Sequence, residues 1–102
     1  MNTVTVTPAD WWVTAGQSCD AVRDGLDRAR VAPDLLSTLS ELERARRASS
    51  AAVGSAVQAL LASGVSWERI AAAIGASSAE EAQALATPLL GDADRVLERR
   101  LT

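Results

Sequence analysis

The sequence predicts an all-α protein of about five helices. Almost half of its 102 residues are hydrophobic, and most of these are Ala, Leu and Val. Phe and Tyr are absent, so the chain is rich in helix-forming residues and poor in strand-forming ones. Apolar residues also recur at steps of three and four, the spacing of one helix face. A chain of this length is expected to form one domain, residues 1–102.

The first residues alternate strictly between Thr and Val. Residues 3–7 are all β-branched, which predicts a short strand. A lone strand needs a partner, and the same strand of a second subunit would supply one; the alternative is a frayed terminus. The sequence therefore favours a homodimer. Its candidate interface residues are Val4, Val6 and Trp11, because tryptophan is enriched at protein interfaces.

A first helix is predicted over about residues 8–30. Thr7 is a suitable N-cap, and Pro8 suits the first helical position. The apolar stripe that we expect to be buried is Trp12, Ala15, Cys19, Val22, Leu26 and Ala29. On this stripe Trp12 is expected in the core, and Cys19 is expected to be a buried, inert thiol. Residues 1–32 would then form an N-terminal strand and helix that serve dimerisation.

A second helix is predicted to begin at Ala32-Pro33-Asp34. Its apolar stripe is Leu35, Leu39, Leu42 and Ala45. Ser49-Ser50 either interrupts this helix or lies within a helix that continues towards residue 63. In both cases Gly64 ends the apolar segment as a C-cap.

Two further helices follow. Ser66 is the predicted N-cap of a short helix over residues 67–74, which Gly75 ends. Thr87-Pro88 predicts the start of a last helix within the C-terminal segment, residues 87–102.

The segment 64–75, GVSWERIAAAIG, is the most informative part of the chain. It has a turn, a capped short helix and a second glycine turn, which is the first half of a helix-turn-helix. The residues expected on its buried face are Trp67, Ile70, Ala71 and Ile74. They are expected to pack against Val57 and against Leu60 or Leu61.

This segment resembles the helix-turn-helix of small bacterial regulators and of the fourth region of sigma factors. Many members read roughly G-x-S-W-x-x-I-A-x-x-L-G-x-S. The matching residues here are Gly64, Ser66, Trp67, Ile70, Ala71, Gly75 and Ser77. The resemblance covers about residues 33–86 as a helix-turn-helix-like core. It implies a DNA-binding transcription regulator whose second motif helix lies in the major groove.

The resemblance implies a set of residues that contact DNA. Around the motif these are Arg69, Ser77, Ser78 and Gln83. A cluster on the preceding helix, Arg44, Arg46 and Arg47, would add phosphate contacts if that helix crosses a DNA backbone. In the alternative, these three arginines form solvated pairs with Glu41 and Glu43 at helical spacing.

The chain departs from the family pattern after the motif turn. The next helix opens with Ala79-Glu80-Glu81, where family members commonly carry Arg or Gln. Carboxylates at this end repel phosphates. We expect Ser78 to be the N-cap, with Glu81 closing a capping box, because this longer turn buries no carboxylate. Ala82 and Leu85 would then face the core.

Composition restricts the function further. The net charge is −3, opposite to that of a typical nucleic-acid-binding domain. There is no His, which excludes His-based catalysis and His metal ligation, and we expect no enzyme activity, cofactor or metal. The single cysteine cannot form an internal disulfide, and no signal peptide is evident, so a cytoplasmic location is expected. No apolar run approaches the roughly 20 residues of a membrane span.

Two functions therefore remain open. The first is a small helix-turn-helix DNA-binding regulator, supported by the resemblance. The alternative is a non-enzymatic protein-interaction module that keeps this fold and has lost DNA binding, supported by the net charge and the two glutamates.

Overall fold

A computed structural model describes residues 6–102, and these residues form four helices. In chain order they are α1 (Pro8–Arg30), α2 (Leu35–Ala62), α3 (Trp67–Ile74) and α4 (Ala79–Leu101). The all-α prediction is confirmed for the described residues, with four helices in place of about five. Of the predicted strand, residues 3–5, including Val4, lie outside the described residues. Val6 and Thr7 precede α1 without strand structure.

Side-chain caps fix the starts of the first two helices where the sequence predicts them. The Thr7 hydroxyl accepts a hydrogen bond from the Asp10 backbone N–H at 3.3 Å. The Thr7 N–H donates in return to the Asp10 carboxylate at 2.9 Å, which completes a capping box. The Asp34 carboxylate accepts from the Ser37 N–H at 2.7 Å at the start of α2. Helix α2 then runs through Ser49-Ser50 without a break, so the uninterrupted alternative is the correct one.

Helices α3 and α4 are joined by the predicted glycine turn. The Ser66 hydroxyl caps α3, and Gly75 ends it in the left-handed conformation with φ 75°. The prediction of a new helix at Thr87-Pro88 is wrong, because α4 continues through both residues. Pro88 donates no backbone hydrogen bond, but the Thr87 hydroxyl donates to the Gln83 carbonyl at 2.7 Å within this turn.

Helices α1 and α2 form an antiparallel hairpin that packs through small residues. A Cβ added at Gly25 would lie 3.1 Å from the Ala45 Cβ, so the two backbones are close at this point. The side of α1 that faces the protein is Trp11, Thr14, Ser18, Gly25 and Ala29. The predicted stripe is therefore wrong by about one residue. Trp11 is buried in place of Trp12, which is 67% exposed, and Cys19 is exposed as well.

Helix α4 crosses the C-terminal half of α2 and reaches α1. One core cluster at this crossing contains Trp11, Ala59, Ala93 and Leu97. Beyond it, Arg100 ties the end of α4 to the start of α1. Its guanidinium donates to the Thr14 hydroxyl at 3.2 Å and pairs with the Asp10 carboxylate at 3.2 Å. The burial of Trp11 corrects its prediction as an interface residue, because α2 and α4 of the same chain already cover it.

A second cluster holds α3 in place. Ile70 is 1% exposed and packs with Val57 and Ala86. Partly buried residues around it include Leu60, Leu61 and Trp67, as predicted. The predicted burial of Ile74 and Leu85 is wrong, because Ile74 is 38% exposed and Leu85 is 52% exposed.

Helices α2 and α4 approach each other closely at Gly54, and substitution of this glycine tests the packing. A Cβ at this position would overlap the Leu89 carbonyl oxygen and lie 2.6 Å from the Leu89 carbonyl carbon. We expect Gly54→Ala to lower the free energy of unfolding by about 1–3 kcal/mol, because α4 must move away. Gly16→Ala is the control. Nothing lies within 4 Å of its added Cβ, so it should stabilise α1 by roughly 0.5–1 kcal/mol. Urea unfolding followed by circular dichroism measures both, and equal effects would contradict this packing.

Candidate functional site

The structure places the residues expected to contact DNA in two separate regions. Arg44, Arg46 and Arg47 line a cleft between α1, α2 and α4. The other four lie on α3, in the turn and on the first part of α4, outside this cleft: Arg69, Ser77, Ser78 and Gln83. The two groups predicted from the sequence therefore do not line a common cleft.

Two arginines of α4 join the first group, and the sequence analysis missed them. Arg95 and Arg99 lie one helical turn apart, and both line the cleft. The i, i+4 spacing of two arginines on α4 was the available signal. We call this region the arginine cleft and define it by Arg44, Arg46, Arg47, Arg95 and Arg99. It contains five of the ten basic residues of the chain, and its floor is made of small residues of α1 and α2 such as Ser18, Ala48 and Ala51.

Glu43 is shared by two arginines of the cleft. Arg46 donates to both of its carboxylate oxygens, at 2.7 and 2.8 Å, and the Arg47 Nε donates at 3.2 Å. The hydrogen bonds from Arg46 are the main reason that the pKa of Glu43 is lowered to about 2, with Arg47 contributing less. The same carboxylate raises the pKa of Arg46.

The remaining arginines of the cleft are partly neutralised. Arg44 lies 3.9 Å from Glu41, and Arg95 pairs with Asp92. The predicted pairs of the α2 arginines with Glu41 and Glu43 are therefore confirmed. Among residues 6–102, Arg99 has no ion pair, and its Nε donates only to the Arg95 carbonyl, at 3.4 Å. The five guanidinium groups thus share this region with four carboxylates, those of Glu41, Glu43, Asp92 and Glu98.

The start of α4 carries carboxylates and no cation. Ser78 is the N-cap, as predicted, and its hydroxyl accepts from the Glu81 N–H at 3.0 Å. The Glu81 carboxylate accepts from the Ser77 hydroxyl, so the expected return bond to the Ser78 backbone is not made. Both serines are therefore occupied in forming the turn. Glu80 and Gln83 are exposed, which leaves an acidic first turn where a DNA reader offers donors.

The hairpin carries an exposed apolar surface on another side. Cys19, Val22 and Leu26 of α1 line a groove together with Leu42 of α2. Further large side chains extend this surface along both helices: Trp12, Leu35 and Leu39. We call these seven residues the apolar face. All seven belong to the apolar stripes predicted from the sequence, and most of them are exposed to solvent.

The exposure of this face is large for a small protein. Leu35 is 85% exposed and Leu39 is 63% exposed. Burying one such side chain contributes about 1.5–3 kcal/mol. The described residues measure 46 × 42 × 17 Å, and the smallest dimension holds two layers of helices and not three. Helix α4 covers another side of the hairpin, and no described helix covers the apolar face. Large apolar side chains exposed together on one side of a protein are typical of interaction sites.

The described residues were searched for metal sites and for membrane-spanning helices. No group of three or more Cys, Asp or Glu side chains among residues 6–102 is arranged to hold a metal ion. None of the described helices combines the length and the apolar character that crossing a bilayer requires. Comparison of the chain with protein families, with curated proteins and with solved structures finds no match.

The ion pairs of Glu43 can be tested by titration. Arg46→Ala should raise the pKa of Glu43 from about 2 towards its usual value of 4.5, because the carboxylate loses its strongest hydrogen bonds. Asp34 is an internal control, since its lowered pKa arises mainly from the Ser37 backbone N–H and should not change. Carboxyl carbon NMR titration reports both groups. A Glu43 pKa that stays near 2 in this variant would show that Arg46 is not its main partner.

Proposed function

We propose that this chain is a non-enzymatic protein-interaction module that works through the apolar face of its α1–α2 hairpin. The exposure of that face is the observation that carries the proposal. Trp12, Leu35 and Leu39 are each more than 60% exposed, yet they belong to regular apolar stripes. These three side chains bury little apolar area within the described chain, and they are suited to packing against another protein surface.

The start of α4 supports the same proposal. The α3–α4 pair resembles a helix-turn-helix in its caps and its glycine turn. Its exposed end presents Glu80 and Glu81, and the hydroxyl groups of Ser77 and Ser78 take part in the turn itself. Phosphate contacts supply most of the affinity of DNA-binding proteins, and the first turn of α4 offers no cation for them. The module therefore keeps the fold without the surface that reads DNA.

A capture experiment with matched variants tests this function. Leu39→Glu places a negative charge on the apolar face. Leu85→Glu is the matched control, because it places the same charge at an exposed position of α4 outside that face. Both leucines are more than half exposed, so both variants should fold. A tagged wild-type chain, mixed with untagged chain and host extract, should retain at least one protein that Leu85→Glu also retains and Leu39→Glu loses. If the two variants retain the same proteins, the apolar face is not the working surface.

A second candidate function is DNA binding through the arginine cleft. The observation in its favour is that half of the chain's arginines gather there although the chain is acidic overall. The planar guanidinium group donates hydrogen bonds in a geometry that matches two phosphate oxygens. Exposed ion pairs contribute little to the free energy of folding, so a DNA phosphate can displace the carboxylate from an arginine of the cleft. No aromatic residue lines the cleft, which favours contact with a duplex backbone over stacking on single strands.

The salt dependence of DNA binding tests this second candidate. Arg99→Ala should weaken binding to a duplex and reduce the slope of log K against log salt by about one phosphate contact. Arg23→Ala removes the same charge outside the cleft and should leave the slope unchanged. Two further variants test whether the start of α4 approaches DNA: Arg69→Ala, and the double substitution Glu80→Gln with Glu81→Gln. If it does, both should change the affinity for DNA, and the double substitution should raise it. If it does not, neither variant should change the affinity. Fluorescence anisotropy gives the affinities, and an absence of binding at low salt would exclude the DNA function.

A further inference from the structure

We infer that the apolar face is covered by the same face of a second copy of this chain, so that two α1–α2 hairpins form a four-helix bundle with twofold symmetry. This inference rests on the proposed function, and it names the partner. Its basis is the position of the two apolar stripes on each helix, the width of the face and the charges at its edge.

Helix α1 carries two adjacent stripes, and only one of them is used within the chain. The stripe that faces the protein is Trp11, Thr14, Ser18, Gly25 and Ala29. The second stripe is Trp12, Cys19, Val22 and Leu26, of which Val22 is half-buried and the other three are exposed. At about 100° per residue, the second stripe lies roughly a quarter turn round the helix from the first. In a four-helix bundle each helix packs against two neighbours, and two stripes a quarter turn apart suit that arrangement.

Helix α2 repeats this arrangement on the same side of the hairpin. Ala45 marks its contact with α1, since it lies against Gly25. Leu35, Leu39 and Leu42 lie roughly a quarter turn from the direction of Ala45. Because α1 and α2 run in opposite directions, the same sense of rotation turns both second stripes to one side. Leu26 and Leu42 accordingly line the same groove.

The width of the face requires a partner with two helices. A single helix laid in the groove would cover Cys19, Val22 and Leu26, but Leu35 and Leu39 lie outside the groove lining. A surface two helices wide, with large apolar residues at steps of three and four, covers the whole face. This chain itself presents such a surface, and an isologous contact between two copies matches each stripe with an equivalent one.

Charges at the edge of the face are compatible with a second copy. Arg23, Asp27 and Arg30 border the groove, so its edge carries both signs. An edge of one sign would repel its own copy, whereas a mixed edge allows opposite charges to meet across a twofold axis. The groove and the arginine cleft share no lining residue. Gln17 and Ala21 border the cleft from the opposite side of α1, so the dimer leaves both clefts open.

The size of the face sets the expected affinity. The face extends about 21 Å along α1 from Trp12 to Leu26, and about 10 Å along α2 from Leu35 to Leu42. Such a face is smaller than the standard interface of a specific complex, which buries about 800 Å² on each partner, and it is in the range of weak, transient contacts. We therefore expect a reversible dimer that dissociates in the micromolar range.

Sedimentation velocity over a wide range of concentration tests the partner directly. Wild type and Leu85→Glu should change from monomer to dimer as the concentration rises, and Leu39→Glu should remain a monomer with unchanged helix content. Leu35→Glu provides a second variant, since Leu35 is the more exposed of the two. Cys19, the only cysteine, reports on the groove. Its labelling by a maleimide should slow at high concentration in wild type and stay fast in Leu39→Glu.

Each remaining outcome overturns the inference. A wild type that is monomeric at every concentration removes the second copy as the partner, as does a Leu39→Glu variant that dimerises like wild type. Equal loss of the dimer in Leu39→Glu and Leu85→Glu places the contact elsewhere. If wild type is monomeric but a different protein is captured and then lost with Leu39→Glu, the second copy is excluded while the proposed interaction function stands. If neither result is seen, both fail.

Discussion

The close approach of α4 to α2 at Gly54 is the contact on which the rest of the fold depends. The Leu89 backbone occupies the space that any side chain at position 54 would fill. This contact brings Ala93 and Leu97 onto Trp11 and onto the C-terminal half of α2. Small residues therefore set the distances between helices here, as Gly25 and Ala45 do within the hairpin. Close packing of this kind leaves little room for large side chains between the helices.

The larger apolar residues consequently lie outside these contacts. On α1 the buried side contains Thr14, Ser18 and Gly25, while Trp12 and Leu26 are exposed to solvent. A hairpin that packs through small residues buries little apolar area for its length, which is a weak basis for stability in a short chain. A second layer of large apolar contacts against a partner would supply the area that the chain alone lacks. The unusual exposure of the leucines and the choice of small residues between the helices thus have one physical origin.

The charged residues also differ in what they contact: most form ion pairs within the described chain, and one arginine of the cleft does not. Ion pairs such as Glu43 with Arg46 and Arg47 give the middle of α2 a local balance of charge. Arg100 has a structural role, because it joins the end of α4 to the start of α1. Only Arg99 of the cleft lacks a carboxylate partner among the described residues. An acidic chain can in this way present one cluster of arginines without presenting a strongly positive surface.

The sequence by itself determined the all-helical class of the described residues and the local signals at helix ends. Thr7 with Asp10, Ser66, Gly75 and Ser78 all lie where the sequence placed them, because a cap or a left-handed glycine acts within a few residues. The ion pairs of α2 were predictable for the same reason, since i, i+3 and i, i+4 neighbours are fixed by the helix alone.

Only the tertiary structure decided which of two adjacent stripes is buried, and whether α4 continues past Pro88. Trp11 and Trp12 are equally apolar and differ by 100° of helix rotation, so the choice between them depends on where α2 and α4 approach. The gathering of Arg95 and Arg99 with the arginines of α2 depends on the crossing at Gly54. The apolar face was visible in the sequence as a set of hydrophobic stripes. Its exposure followed only from the packing of small residues, because hydrophobic spacing indicates which residues can be buried and not which neighbour buries them.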